Sequence, residues 1–366
     1  MINDSYQKFS KQIPSQKFSR VAIFYYICFI INGLQVMKQL KVNLGTIAAN
    51  ADQIFHRLRW ANGVACPECG SIHIYNPDAG KLHYCADCGN RFTDTSNTIF
   101  HSTKLPLSKW LFAIYFFVET TRGISSYALA RLIGVSQPTA WTMLMKIRTA
   151  IQHDIQIPEG AILDEVFIGA DWKRLPSFKK YQRATPPNPV WNLQGKDLQS
   201  YYKSEFMRLA SEDKMPVLGI SSPYRRSLVL LSIPSSDRKE FIRSEINRRY
   251  SHLMSTSTDH QTLIITDQAK CYKCIPQFTD VNGNQVFQHE VCRHDINKYS
   301  SPNGYSSNRL EGSFAHLKRM WRGTYQRWTR KYNQSYLNEF AWRYTHRLDP
   351  LLDRLMQLFT CFEVVS

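Results

Sequence analysis

Acidic residues are scarce in this chain. Its 366 residues contain 46 Lys and Arg but only 29 Asp and Glu, which gives a formal net charge of +17. Aromatic residues make up 13% of the chain and hydrophobic residues 43%, so a disordered basic tail is excluded and a core can form. Because a globular chain this basic usually binds a polyanion, the composition indicates a folded nucleic-acid-binding protein.

An apolar run long enough to cross a bilayer is also missing. Within "VAIFYYICFIINGLQVM" the unbroken apolar part extends only from Val21 to Ile31, whereas a membrane-spanning helix needs about 20 apolar residues. A signal peptide is one alternative, although no A-x-A-like cleavage site follows. We favour a buried helix; another alternative is that translation starts at Met37. Residues 1–48 are treated as an N-terminal extension, and we expect no membrane partner.

The cysteines do not follow the pattern of a disulfide framework. The chain has nine, and four of them form two CxxC pairs. This usage is typical of a reducing compartment and one metal site. The remaining five show no strong pattern: Cys28, Cys271, Cys274, Cys292 and Cys361.

The two CxxC pairs predict a zinc ribbon over residues 49–104. Cys66, Cys69, Cys85 and Cys88 follow C-x2-C-x15-C-x2-C, and four thiolates can form the tetrahedron that Zn²⁺ prefers. Four protein ligands leave no open position, so we expect structural zinc. Two disulfides or free thiols are the alternative. A weaker candidate for a second site consists of Cys271, Cys274, Cys292 and His294.

A helix-turn-helix is predicted within residues 105–155. In "SSYALARLIGVSQPTAWTMLMKIR", Gly134 marks the turn and Ser136 can cap the second helix. The predicted buried stripe is Ala140, Met143, Leu144 and Ile147. The side chains expected to face a DNA groove are Gln137, Trp141 and Thr142. An ordinary pair of helices is the alternative interpretation.

Residues 156–347 contain both strand and helix patterns, so the chain as a whole is predicted to be a multidomain α+β protein with an α/β domain here. "GAILDEVFIGADW" reads as a strand, "MPVLGISSPYRRSLVLLSIP" as two strands joined by a turn, and "TLIITD" as a short strand ending in an aspartate. "SDRKEFIRSEINRRY" predicts a helix with Ser236 as its N-cap. We interpret residues 171–214 as a basic insertion and residues 348–366 as a C-terminal tail.

Three carboxylates in this domain are candidate ligands for catalytic Mg²⁺ or Mn²⁺. Asp164 lies within a strand, Asp267 ends a strand, and Glu311 opens a helix. A buried carboxylate is costly unless it is paired or binds a metal. Three such groups can hold two Mg²⁺ ions about 3.5–4 Å apart, an arrangement that cleaves phosphodiesters.

Glu311 is the only acidic residue from position 296 to 338, among many cations. Taken alone, it could simply neutralise Arg309 or Arg319. Together with the other two acids, it is better explained as a metal ligand whose basic neighbours hold DNA phosphates. The neighbours predicted to do so are Lys318, Arg319 and Arg322.

The order of these parts resembles the DDE transposases of bacterial insertion sequences, in the subgroup with an N-terminal zinc ribbon. The stretches that carry the resemblance cover roughly residues 49–347. They are "LRWANGVACPECG", "CADCGNRFTDTSNTIFHSTKLPLSKW", "ISSYALARLIGVSQPTAW", "LDEVFIG", "TDQAKCY", "NRLEGSFAHLKRMWRGTY" and "YLNEFAWRYTHR".

The resemblance implies an α/β RNase H-like catalytic domain with a mixed sheet, a divalent metal, and cleavage and strand transfer of element ends. It assigns the first acid to Asp164 and the second to Asp267. The third is Glu311 or, as in some members of the subgroup, an asparagine, here Asn308. It further implies double-stranded DNA as partner, a homodimer or higher oligomer on DNA, and a cytoplasmic, nucleoid-associated protein. The alternatives are a DNA-binding regulator, an RNase H-like nuclease without strand transfer, and an inactive copy.

Overall fold

A computed structural model describes residues 44–60, 63–157, 159–169, 214–234, 238–257, 260–292, 301, 303–325 and 328–362. The apolar segment at residues 21–37, almost all of the basic insertion, and the cap Ser236 lie outside these residues. Among the described residues, no helix is both long and apolar enough to cross a membrane. The described part of the chain divides into two compact units.

The elements follow in chain order. The first part contains α1 (Leu44–Ala49), α2 (Ala51–Arg59), β1 (Ile74–Tyr75), β2 (His83–Cys85), β3 (Arg91–Phe92), α3 (Leu107–Glu119), α4 (Ser126–Ile133) and α5 (Gln137–Ala150). The central part contains β4 (Ala161–Ile168), β5 (Met215–Ser221), β6 (Leu228–Ser232), α6 (Arg238–Met254), β7 (Thr262–Thr266), a 3₁₀ helix (Lys270–Gln277) and β8 (Phe287–Val291). The last part contains α7 (Asn308–Gly323), a 3₁₀ turn (Arg330–Tyr332), α8 (Asn333–Thr345) and α9 (Leu351–Thr360).

The first unit combines Met1–Glu119, Leu129–Ala150 and Asp349–Ser366. Strands β1, β2 and β3 form a small antiparallel sheet. Helix α3 supplies the apolar centre because its aromatic and aliphatic side chains are buried, and helices α1, α2, α5 and α9 pack against it. Residues 348–366, interpreted from the sequence as a tail, thus contain a helix that belongs to this core. Its buried side chains are Leu355, Met356, Leu358 and Phe359.

The predicted pair of helices is present as α4 and α5. Between them Gly134 has a φ of +63°, a left-handed conformation that glycine adopts without steric cost. The amide of Val135 donates to the carbonyl of Ala130, and the hydroxyl of Ser136 accepts a hydrogen bond from the amide of Thr139. Ser136 therefore caps α5 as predicted. All four residues of the predicted stripe are buried: Ala140, Met143, Leu144 and Ile147.

The second unit, Thr120–Ala128 and Ile151–Leu348, is built on a five-stranded sheet with the order β6-β5-β4-β7-β8. Strands β6, β5 and β4 are antiparallel, whereas β4, β7 and β8 are parallel. The mixed sheet expected from the sequence is thereby confirmed, and the order agrees with an RNase H-like fold. The predicted hairpin corresponds to β5 and β6.

Both faces of this sheet are covered, as its parallel part requires. On one face, Leu163 and Leu218 join a core with side chains of α6 and the 3₁₀ helix after β7. On the other face, α7 packs on β4 and β5. Helix α8 covers β6, where the side chain of Gln334 exchanges hydrogen bonds with the backbone of Leu230 and Ser232. The β6 edge of the sheet is therefore protected.

Gly219 allows α7 to lie close to the sheet. It pairs with Asp164 across the antiparallel strands β5 and β4, so both residues face the same side. A Cβ atom at Gly219 would lie 2.6 Å from the ring of Phe314 and 2.9 Å from Leu310. Because Leu310 and Phe314 are buried residues of α7, any side chain at position 219 would push the helix outward.

Gly219→Ala should lower the free energy of unfolding by about 1–3 kcal/mol, because the added methyl group overpacks this contact. Gly312→Ala is the matched control, since Gly312 lies inside α7 and a Cβ added there would meet nothing within 4 Å. That variant should be neutral or stabilising by up to about 1 kcal/mol. Chemical denaturation of the two variants measures the difference, and equal stabilities would contradict the close approach.

Candidate functional site

The register of β4 and β7 brings Asp164 and Asp267 to neighbouring positions. Ile162 pairs with Ile265 across these parallel strands. Asp164 and Asp267 each lie two residues beyond this last pair, so both follow the end of the ladder at equivalent positions and on the same face. Both are at the carboxyl end of the β4–β7 pair, where the open α/β sheets commonly bind ligands.

Helix α7 adds Glu311 to the same region. Leu310 packs over Gly219, opposite Asp164, and Glu311 is the next residue of the helix. The negative charges of Asp267 and Glu311 both raise the pKa of Asp164. The structure thus brings together the three acids singled out from the sequence. They are looser than a single-ion cluster, because their oxygens are not all within 4.8 Å of one another.

Asp164 is strained electrostatically. Burial is the main cause that raises its pKa to about 7, and the charges of Asp267 and Glu311 add to it. The amide of Glu165, which donates to Asp164 Oδ1 at 2.7 Å, opposes the shift. Near neutral pH a proton is therefore partly retained on Asp164. A divalent cation would supply the positive charge that this proton now supplies, so the donor set fits a metal.

Backbone and side-chain donors fix the orientation of each carboxylate. Asp267 Oδ1 accepts the amide of Ala269 at 2.9 Å, and Glu311 Oε1 accepts the hydroxyl of Ser307 at 2.7 Å. Arg309, considered from the sequence as a salt-bridge partner of Glu311, donates instead to the carbonyl of Arg225 at 3.0 Å. The guanidinium of Arg309 therefore ties α7 to the β5–β6 turn.

Asn308 is the first residue of α7 and is exposed, as is Glu311 three residues later. Both candidates for the third position thus lie in the same first turn. Further along α7, the buried stripe contains Leu310, Phe314, Leu317 and Trp321. The side chains predicted to bind phosphate are all exposed: Lys318, Arg319 and Arg322.

The three predicted groove-facing residues lie in the first two turns of α5. Gln137 and Trp141 are half-buried, whereas Thr142 is exposed. The hydroxyl of Thr142 donates to the carbonyl of Pro138 at 3.0 Å. The helix therefore presents a mixed polar and aromatic surface.

The four cysteines of the ribbon converge. Cys66, Cys69, Cys85 and Cys88 place their sulfurs within 4.8 Å of one another, with Cys66 and Cys88 at 3.5 Å and Cys69 and Cys85 at 3.6 Å. Gly70 and Gly89 turn the chain after each CxxC pair, and their amides donate to the carbonyls of Cys66 and Cys85. None of the eight described cysteines forms a disulfide. The geometry fits a tetrahedral Zn²⁺.

The pKa values of the four ribbon thiols are shifted in opposite directions, as expected when several thiols share one site. Burial would raise the pKa of Cys66, but the amides of Cys69 and Glu68 outweigh it and lower the value to about 6. The amide of Asn90 favours the Cys88 thiolate, yet the neighbouring sulfurs raise its pKa to about 12. The four thiols therefore do not all lose their protons unless a cation balances the charge, and Zn²⁺ would be that cation.

Sequence reasoning missed a second cluster beside the ribbon, made of His56, His83 and Asp94. Asp94 Oδ1 lies 2.8 Å from His56 Nδ1 and 2.9 Å from His83 Nε2, and it also accepts the indole N–H of Trp60. These direct hydrogen bonds account for the cluster without requiring an ion. Asp94 therefore links α2 to the ribbon. A lone aspartate in "RFTDTSNT" gives no signal of this role.

The described cysteines of the weaker candidate for a second zinc site, Cys271, Cys274 and Cys292, do not form a metal-sized cluster. The Cys271 thiol donates to Glu165 Oε1 at 2.9 Å, and the Cys274 thiol donates to the carbonyl of Cys271 at 3.4 Å. Neither belongs to a metal-sized cluster among the described residues. His294 lies outside them.

Purified protein should contain about one zinc ion per chain, because the ribbon presents four converging thiols. Cys85→Ser should lose the ion and unfold the ribbon, while the second unit stays folded. Cys361→Ser is the matched control, since that thiol only donates to the carbonyl of Gln357 in α9 and should retain zinc. Elemental analysis by mass spectrometry measures the ratio; freshly purified wild-type protein without zinc would contradict the assignment.

Comparison with known proteins agrees with both units. Residues 193–345 match the ISXO2-like transposase domain, and residues 49–91 match the transposase zinc-ribbon domain. The first match contains Asp267, Asn308 and Glu311, whereas Asp164 precedes it. An uncharacterized protein in transposable element ISH50 of Halobacterium salinarum is 27% identical over 127 residues, 34% of this chain and 42% of that relative. The chain therefore spans less than half the length of this relative. The two matched segments together cover more than half of the chain, and each is similar to a domain of transposases.

Proposed function

We propose that this protein binds the ends of an insertion sequence and catalyses metal-dependent cleavage and strand transfer of the DNA. The observation that carries the proposal is the convergence of Asp164, Asp267 and Glu311 on one face of the mixed sheet. The similarity of residues 49–91 and 193–345 to transposase domains supports it. Burial of a carboxyl whose pKa is raised to about 7 costs stability, and catalysis would explain why the cost is tolerated.

In this mechanism Asp164, Asp267 and Glu311 would hold Mg²⁺ or Mn²⁺. The metal, when bound, would activate the attacking oxygen and stabilise the leaving oxygen. Asp164 must release its proton on binding the cation, because the raised pKa keeps part of the population protonated near pH 7. Lys318, projecting from the same side of α7 as Glu311, would bind the DNA backbone near the cleaved bond.

Recognition of element ends belongs to the first unit in this proposal. Gln137, Trp141 and Thr142 would contact base edges from α5, and zinc would keep the ribbon folded. Arg319 and Arg322 would bind phosphates, so binding should weaken as salt rises. We also propose a homodimer or higher oligomer on double-stranded DNA, with element ends and target as substrates, and a cytoplasmic, nucleoid-associated location.

We keep the domain limits proposed from the sequence. They are the extension 1–48, the ribbon 49–104, the helix-turn-helix 105–155, the catalytic domain 156–347 with its insertion 171–214, and the segment 348–366. A DNA-binding regulator would share the first three parts. It would have no use for three converging carboxylates, so this alternative is disfavoured.

Asp164→Ala and Asp267→Ala should each reduce cleavage of element-end DNA by about 100-fold or more, since a lost metal ligand removes several kcal/mol of transition-state stabilisation. End binding should be nearly unchanged. Glu240→Ala is the matched control because Glu240 is exposed on α6, outside the acid cluster, and should cleave normally. Gel assays of nicking and joining with labelled ends measure all of these.

Strong nicking by either aspartate variant with Mg²⁺ present would refute the assignment of that residue. Wild-type protein that nicks ends but never joins the 3′-OH to target DNA would instead indicate a nuclease without strand transfer. Protein that binds ends without nicking them would favour the regulator. Each alternative therefore leaves a different product pattern.

Glu311→Gln should lose most cleavage, because the amide keeps the size of the side chain and removes the charge that holds a cation. Asn308→Ala should be milder, since a neutral amide is a weaker ligand. Single-turnover cleavage of the same end DNA compares the two variants, with extra Mn²⁺ as a test of partial rescue. An inactive Asn308→Ala beside an active Glu311→Gln would assign the third position to the asparagine.

A further inference from the structure

The backbone pairing between β4 and β7 ends before the chain reaches Asp164 and Asp267. Backbone pairing between β4 and β7 joins Ala161 to Ile264 and Ile162 to Ile265, and no further pair follows. By contrast, the other side of β4 pairs with β5 as far as Ile168. Asp267 follows the last residue of β7 and begins a turn. The backbone ladder alone therefore does not fix the separation of Asp164 and Asp267.

A side-chain link crosses this gap on the opposite face of the sheet. Glu165 follows Asp164 on β4 and projects to the other side, because strand residues alternate. The Cys271 thiol, four residues after Asp267, donates to Glu165 Oε1 at 2.9 Å. Each partner of this hydrogen bond is thus close in sequence to one of the aspartates. The bond joins the 3₁₀ helix after Asp267 to the strand that carries Asp164.

An ion pair with Arg238 also holds the Glu165 carboxylate. Its Oε2 lies 3.0 Å from Arg238 Nη1, and only 9% of the Glu165 side chain is exposed. The guanidinium of Arg238 stacks over the ring of Phe167 at 5.0 Å. Burial, followed by the hydrogen bond to Glu165, raises the pKa of Cys271 to about 12. The thiol therefore keeps its proton and remains a donor at physiological pH.

We propose that Cys271 and Glu165 are positioning residues that set the distance between Asp164 and Asp267 across the unpaired ends of β4 and β7. Neither touches the cation or the DNA. Partners behind metal ligands typically change metal affinity by 10–100-fold when removed. This inference rests on the proposed function, because it assumes that the two aspartates bind a divalent metal.

The test measures Mn²⁺ binding to zinc-loaded, full-length protein by electron paramagnetic resonance, without DNA. Cys271→Ala removes the donor and should weaken Mn²⁺ binding about tenfold. Cys271→Ser restores a donor and should recover most of the affinity. Cys274→Ala is the matched control: its buried thiol lies in the same 3₁₀ helix but donates only to the carbonyl of Cys271. It should lower the melting temperature and leave Mn²⁺ affinity unchanged.

Three results would overturn the inference. Cys271→Ala could bind Mn²⁺ as tightly as the wild type, it could weaken binding no more than Cys274→Ala, or Cys271→Ser could remain as weak as Cys271→Ala. Wild-type protein that binds Mn²⁺ no better than Asp267→Asn would contradict the proposed function itself, and the inference would fall with it. Affinity for end DNA should be equal in all the cysteine variants.

Discussion

The absence of a side chain at Gly219 is the constraint on which the candidate site depends. Gly219 faces the same side of the sheet as its strand partner Asp164, and Leu310 and Phe314 occupy the space where a Cβ would lie. Helix α7 can therefore pack directly on the sheet, which brings Glu311 in its first turn towards Asp164 on β4. Burial by the helix also desolvates Asp164, so the same contact creates both the geometry and the unusual protonation.

The sequence was sufficient for features encoded by short patterns. The two CxxC pairs identify the ribbon because metal ligands must be spaced for one ion. The turn at Gly134 and the cap at Ser136 identify the helix pair, and the abrupt end of "TLIITD" places Asp267 at a strand terminus. The strands around Asp164 and the hairpin after it were also predictable, since apolar runs bounded by polar turns are typical of a buried sheet.

Features that depend on distant residues were not predictable. Nothing near Asp164 shows that Gly219 will pair with it, because register arises from the whole sheet. Helix α9 was interpreted as part of a tail, although its apolar stripe completes a core built mainly from residues before position 150. Asp94 looked like an ordinary loop residue, yet it accepts hydrogen bonds from His56, Trp60 and Gly80. Such roles become visible only when separate segments meet.

Helix α9 has a consequence for the order in which the protein matures during synthesis. Phe359 stacks edge-on against Phe55, and the carbonyl of Phe362 accepts the amide of Ile99. The core of the first unit therefore lacks these contacts until residue 362 has been made and has left the exit tunnel of the ribosome. The sheet of the second unit is complete in the nascent chain before that point. A prematurely terminated chain would thus hold the acidic cluster without a finished zinc-ribbon unit.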